Sequence, residues 1–257
     1  MRNKVLPVLI TICALAFTIK YAYSDGPGNI RATKHNFSAT VPTVQSGAHA
    51  VTEDQVCIFC HTPHSALTAG PLWNHTLSQK SSYIWYTSAT MLAPHPASKP
   101  DGDSLLCLSC HDGDQPVGSV QNAGGQPTTI SMTGTSISGG KITGTANFGS
   151  NLSGHHPISI EMNSCLVDDK NTLQCPSLIT YKIRIPTGAD TQFLKATASG
   201  YACATHPLTG VQCSSCHDAH SSNAMFLRVG NTGSWSTNYS DTLCCKCHIK
   251  CDDSPCP

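Results

Sequence analysis

Hydrophobic positions form one continuous run near the start of the chain and only short clusters afterwards. The run covers residues 5–19, follows Arg2 and Lys4, and is too short to span a bilayer. Ala22-Tyr23-Ser24 then supplies a small-x-small cleavage site. Residues 1–24 therefore read as an export signal, with an uncleaved anchor as the alternative; Cys13 inside the run is expected to leave with it. No second long apolar stretch follows, which predicts a mature chain without a membrane span. Ile179, Tyr181, Ile183 and Ile185 alternate with Thr180, Lys182 and Arg184, the period-two signature of a strand. Residues 113–154 are rich in Gly, Ser and Thr. They read as looping chain with short strands around Ile130 and Ile142, or else as a disordered linker. No stretch sustains apolar residues at helical spacing, so helices should be short.

Composition sharpens this picture. Only 6% of residues are aromatic, too few to fill a core of this size unaided. Lys and Arg number 15, as do Asp and Glu, so nothing points to nucleic acid or an anionic membrane surface. Cysteine is the strongest signal: 14 of 15 lie beyond residue 24. An exported chain with so many thiols must oxidise them, bind metal with them, or join them to a cofactor.

Their spacing decides among these. Cys-x-x-Cys-His occurs four times: Cys57, Cys60, His61; Cys107, Cys110, His111; Cys213, Cys216, His217; and Cys244, Cys247, His248. At this composition chance gives only about 0.04 such patterns. Two thiols three positions apart can form thioethers to the two vinyl groups of one porphyrin, and the adjacent imidazole then lies beneath the ring to bind its iron. Zinc ribbons do not require a His after every second Cys, and a thioredoxin-like motif occurs once, in an α/β setting. The sequence thus predicts four covalently bound c-type haems, held by these eight Cys and four proximal His. The haems would supply the missing apolar surface, giving a mostly irregular, coil-rich chain with short helices at the motifs, a few short strands and a haem-centred core.

The motifs pair up. The first and third extend to Cys-x-x-Cys-His-x-x-His-Ser, and the second and fourth are preceded by Leu106 and Leu243, an internal duplication. His64 and His220 follow a proximal ligand by three residues. They share its face of a helical turn, so the porphyrin bars them from the far side of the same iron. Each is expected to reach a different iron as a distal ligand. Beyond these, His35, His49, His75, His95, His155, His156 and His206 are spare. His49 and His206 are reserves; His75 and His95 lie in loops and read as ordinary. Bis-His ligation closes the iron to substrate and lowers its potential relative to Met/His ligation, which favours electron transfer over catalysis. Cys165, Cys175, Cys203, Cys245, Cys251 and Cys256 lie outside the motifs and predict three disulfides of open connectivity, Cys165–Cys175 being the shortest loop.

Several stretches resemble the OmcE-type tetrahaem outer-surface cytochromes of metal-reducing bacteria, whose members polymerise into conductive filaments. The likeness rests on Lys34-His35-Asn36-Phe37-Ser38, Val56 through His64, Pro71-Leu72-Trp73-Asn74, Leu106 through Gly113, Leu152 through Ser159, Val211 through Ser221 and Phe226-Leu227-Arg228. It implies a closely stacked haem chain, extracellular electron export and a distal set of His35, His64, His156 and His220. It also implies that one distal His crosses to the next subunit; His35, on an N-terminal arm, is the expected crossing ligand. His75 stands where the pattern has a basic residue such as Arg, and the C-terminal Cys cluster is extra.

The expected organisation is a signal at 1–24, an arm at 25–50, a first dihaem unit at 51–112, a Gly/Ser/Thr-rich segment at 113–212, and a second dihaem unit with a Cys-rich tail at 213–257. The expected function is extracellular or cell-surface electron transfer, as a homopolymer working with other redox proteins or extracellular acceptors. A monomeric, periplasmic or secreted shuttle shares every motif. A multihaem reductase would need one iron with an open position.

Overall fold

The computed structural model describes residues 29–41, 47–88, 91, 93, 95–96, 98–124, 128–162, 181–183, 185–197, 209–229 and 243–250. Over these the chain is mostly coil, as the sequence predicts. The one long helix, α1 (Gly102–His111), contains the whole second motif. A single helical turn, α2 (Cys213–Cys216), carries the third motif, and 3-10 turns at Val56–Phe59 and Cys244–Lys246 carry the first and fourth. α1 ends at Gly113, whose φ of +71° is the left-handed stop favoured by glycine. A Cβ there would lie 2.5 Å from the Asn147 side chain, so nothing larger fits.

Strands are two or three residues long. β1 (His49–Ala50) pairs with β2 (Met132–Thr133), and β3 (Ile137–Ser138) forms a hairpin with β4 (Lys141–Ile142). β5 (Ile160–Glu161), β7 (Lys195–Ala196) and β8 (Thr209–Val211) make a three-stranded antiparallel sheet with β8 central. β6 (Tyr181–Ile183), within the alternating stretch, pairs with β9 (His248–Lys250), directly after the fourth motif.

Among the described residues the buried apolar side chains form two small clusters. The first joins Phe37, Ala48 and Ala50 to Ile58 and Phe59 of the first motif and to Val117, Val120, Ala123 and Ile142. Cys60 and Cys110 pack against it. The Gly/Ser/Thr-rich segment thus folds onto the first motif, and Ile130 and Ile142 face this cluster as part of it. Gly118 allows the close approach: a Cβ there would sit 1.9 Å from the Ile130 carbonyl oxygen. The second cluster is Tyr83, Leu108 and Leu152, with Trp85 and Ile158 against it. Among the described residues no helix is long and apolar enough to cross a membrane.

The duplication is visible as geometry. In the first copy, Thr62 N–H donates to Leu72 O (2.9 Å) and Asn74 N–H to Cys60 O (2.9 Å). In the second, Asp218 N–H donates to Phe226 O (2.7 Å) and Arg228 N–H to Cys216 O (2.9 Å). The chain after each of these motifs doubles back to the same place, through a loop two residues shorter in the second copy.

Candidate haem sites

In the first and third motifs a helical turn places the His relative to its cysteines. His61 N–H donates to Cys57 O at 2.8 Å and His217 N–H to Cys213 O at 3.0 Å. Three proximal rings are then oriented by a backbone carbonyl. The Nδ1 atom of His61 donates to Pro71 O (2.9 Å), that of His111 to Ala146 O (2.7 Å) and that of His217 to Met225 O (2.8 Å). A proton held on Nδ1 leaves Nε2 as a lone pair, the tautomer an iron ligand needs. Left-handed residues turn these loops back: Leu72 (φ 51°) follows Pro71, and Met225 (φ 53°) and Phe226 (φ 59°) are both left-handed.

Three proximal rings face a second imidazole from elsewhere in the chain. Ring centres lie 6.2 Å apart for His61 and His220, for His111 and His35, and for His248 and His156. Two imidazoles on opposite sides of one metal ion, bound through nitrogens at about 2.0–2.1 Å with roughly 1.1 Å from nitrogen to ring centre, keep their centres about 6.2–6.4 Å apart. The imidazole donors and their spacing would suit a haem iron held between the two rings of each pair. Burial supports the neutral form that binds metal. It is the first cause holding His35 down at about 4, with His111 beside it adding to the effect, and it also lowers His111 and His248.

His35 receives further support. Its Nδ1 donates to Ala219 O at 3.2 Å, and its ring stacks on Phe226 at 4.2 Å. Within the single chain it stands beside His111. The arm carrying it contributes Phe37 to the first cluster and is tied to the body by Ala50 N–H to Phe37 O (2.8 Å). His220 follows His217 but faces His61. His156 donates from Nδ1 to Pro157 O at 2.8 Å. His64 is exposed, and among the described residues no ring stands opposite it or opposite His217.

The remaining histidines sort clearly. His75 is fully buried: its Nδ1 lies 2.7 Å from Thr76 O, and its Nε2 lies 3.0 Å from Pro116 O and 3.3 Å from Cys110 Sγ, so protein atoms enclose both nitrogens. His95 stacks on Trp85 at 5.2 Å and bonds Tyr86 O at 2.5 Å. His155 lies against Phe148, which itself stacks on His111. His49 has a buried Nδ1 without a hydrogen-bond partner among the described residues, and His206 lies outside them. The orienting carbonyls of Pro71, Ala146 and Met225 escaped the sequence reading. The segments Pro71 to Asn74 and Phe226 to Arg228 mark the loops that bear or adjoin two of them.

All eight motif thiols are free, whereas Cys245, inside the fourth motif, is disulfide-bonded. The other five cysteines expected in disulfides lie outside the described residues. The motif thiols run in sequence. Cys60 is pushed up to about 12 by burial, with Cys110 the next contributor. Cys107 is raised well above the ordinary thiol range, first by its hydrogen bond to Cys213. Cys216 is pushed up to about 11 by burial and then by Cys244. The first and second motifs share one apolar cluster, and the second and third are joined by hydrogen bonds between their helices. Among the described residues no group of three His, Cys, Asp or Glu converges as a zinc site would.

Residues 206–252, spanning the third and fourth motifs, match the family model for a doubled CXXCH motif. No curated protein matches the chain. The doubled motif indicates covalently bound c-type haem in a multihaem cytochrome, and with it electron transfer.

Proposed function

We propose that the chain is an exported tetrahaem electron conductor. The four Cys pairs 57/60, 107/110, 213/216 and 244/247 would hold the haems, with His61, His111, His217 and His248 as proximal ligands. Opposite three of them stand His220, His35 and His156. The observation that carries this reading is the recurrence of a 6.2 Å imidazole pair at three separate motifs. Bound haem supplies one-electron exchange between ferric and ferrous iron. The chain's own residues fix the ligand rings, exclude water with the two apolar clusters, and keep successive attachment sites adjacent, so that an electron need not leave the protein.

The same reading extends to a filament at the cell surface. His64 is an exposed imidazole without a ring opposite, and His217 is a proximal ligand without one. A complementary pair of this kind on one chain matches a head-to-tail contact that does not close, which propagates. His64, not His35, is then the crossing ligand. Mass and absorption spectra of protein matured in a cytochrome-c-competent host test the haems: four haem masses and a low-spin Soret spectrum are expected, and colourless protein rejects the reading. Negative-stain images test the filament, which discrete particles alone would reject.

The unpaired His217 also favours one rival, a haem with an open position that binds small molecules. Carbon monoxide binding to reduced, fully assembled protein separates the two. A high-spin fraction that persists in assembled material and disappears on no dilution or assembly change supports the rival.

A further inference from the structure

A buried side-chain network joins the helices that carry the second and third motifs. α1 and α2 meet at their N-terminal ends, where unpaired N–H groups and two positive dipole ends would otherwise confront each other. Gln212 forms a capping box with Ser215 of its own helix, its N–H donating to Ser215 Oγ (2.9 Å), and the two helices also exchange caps. Gln212, the residue before α2, accepts through Oε1 from Ser104 N–H in the first turn of α1 (3.1 Å). Ser104 Oγ in return accepts from Cys213 N–H in the first turn of α2 (3.0 Å). Asp101, at the N-cap of α1, makes no cap bond to its own helix. Its carboxylate accepts from Gln212 Nε2 (2.8 Å) and from Thr197 Oγ1 (2.8 Å). Asp103 accepts from Ser214 Oγ, and Ser159 Oγ donates to Gln212 Oε1 (3.3 Å). Two carboxylates at the meeting point offset both dipole ends.

Three features set this network apart from ordinary packing. Gln212 is 1% exposed and Ser104 0%, so both carry the desolvation cost of buried polar groups. The first copy has Val56 at the position of Gln212, a buried apolar residue, so the fold of the motif itself does not demand Gln. And the network lies where the duplicated halves abut, joining the helix that carries Cys107 to the turn that carries Cys213. Directional hydrogen bonds fix distance and angle, whereas apolar contacts let two surfaces slide.

We propose that Gln212 and Ser104 are positioning residues that set the separation and angle of the second and third haem-attachment sites, the junction between the two halves of the molecule. This rests on the haem reading above. The side chains touch neither iron nor thioether; they act through the helix ends that carry Cys107, Cys110, Cys213 and Cys216.

The test uses haem-loaded protein: wild type, Gln212→Met and Ser104→Ala. Haem count is read by mass, haem–haem coupling by circular dichroism across the Soret band, and stability by thermal melting. Gln212→Met keeps the volume and removes the polar contacts; Ser104→Ala removes the returning hydroxyl and is the milder change should the first variant fail to fold. The expected result is an unchanged haem count with a weakened or reshaped Soret couplet in either variant, and no such change in a Thr197→Val control at the edge of the network. A lowered melting temperature with an unaltered couplet in the folded variants would make the network merely structural and overturn the proposal. Wild-type protein without haem would overturn the reading beneath it, a failure visible before any variant is made.

Discussion

A single carbonyl orients each of three proximal histidines. Pro71, Ala146 and Met225 hold the Nδ1 protons of His61, His111 and His217, which leaves Nε2 to bind. Opposite His61 stands His220, so under the proposed ligation His220→Met would replace a bis-His set by Met/His. The potential of one haem should then rise, by a measurable part of the roughly 0.8 V span that axial ligands command. A spectroelectrochemical titration would show one of the components moving upward; an unchanged titration would mean that His220 is not a ligand. Asn74 illustrates a different duty. It is fully buried, and its side chain donates to Ile58 O (2.5 Å) and Asn122 O (2.8 Å) while accepting from Asn122 N–H (2.9 Å). Asn74→Ala leaves those groups unpaired beside the first motif and should cost about 2–3 kcal/mol, seen in denaturant unfolding, with the haem count intact.

Elements here are too short to stabilise themselves, so the loops that return onto the motifs carry much of the structural work. The first-copy loop turns at Leu72, a left-handed residue whose side chain is 55% exposed. A non-glycine residue in that region costs about 1–2 kcal/mol. Leu72→Gly loses little burial and should raise the melting temperature while retaining haem; a fall would show that the leucine side chain has a contact role in the assembled protein. The strand over Tyr181–Ile183 was legible from its alternation, but its partner was not. It pairs with His248–Lys250, so the fourth motif is held by a segment more than sixty residues earlier in the chain. The Gly/Ser/Thr-rich segment read as looping chain; its closeness to the first motif depends on Val117, Val120 and Ala123, scattered apolar positions without a period to flag them.

At the scale of the molecule, the described residues bury their apolar side chains in two small clusters. Groups that bind only the folded state stabilise it by mass action, and covalent attachment makes that contribution permanent. Protein expressed without cytochrome c maturation should therefore lack a cooperative thermal transition, whereas the haem-bearing form should show one. Equal, cooperative melting of both would mean that the polypeptide holds itself together. Filament formation belongs to this scale too. His64→Ala should leave the haem count unchanged yet abolish polymers in negative stain, and polymers that persist would remove His64 from the subunit contact.

The sequence alone determined the chemistry. Cys-x-x-Cys-His is a local device: two thiols and an imidazole meet one porphyrin within a single turn, so spacing along the chain carries the whole signal, and coil-rich structure follows from the composition around it. Distal partnership is not local. His35 lies 76 residues from His111, His61 lies 159 residues from His220, and His156 lies 92 residues from His248. Nothing in the intervening chain encodes which ring meets which, because that depends on how loops, short strands and the α1–α2 junction pack. Only the tertiary structure could turn His35 inward and leave His64 at the surface.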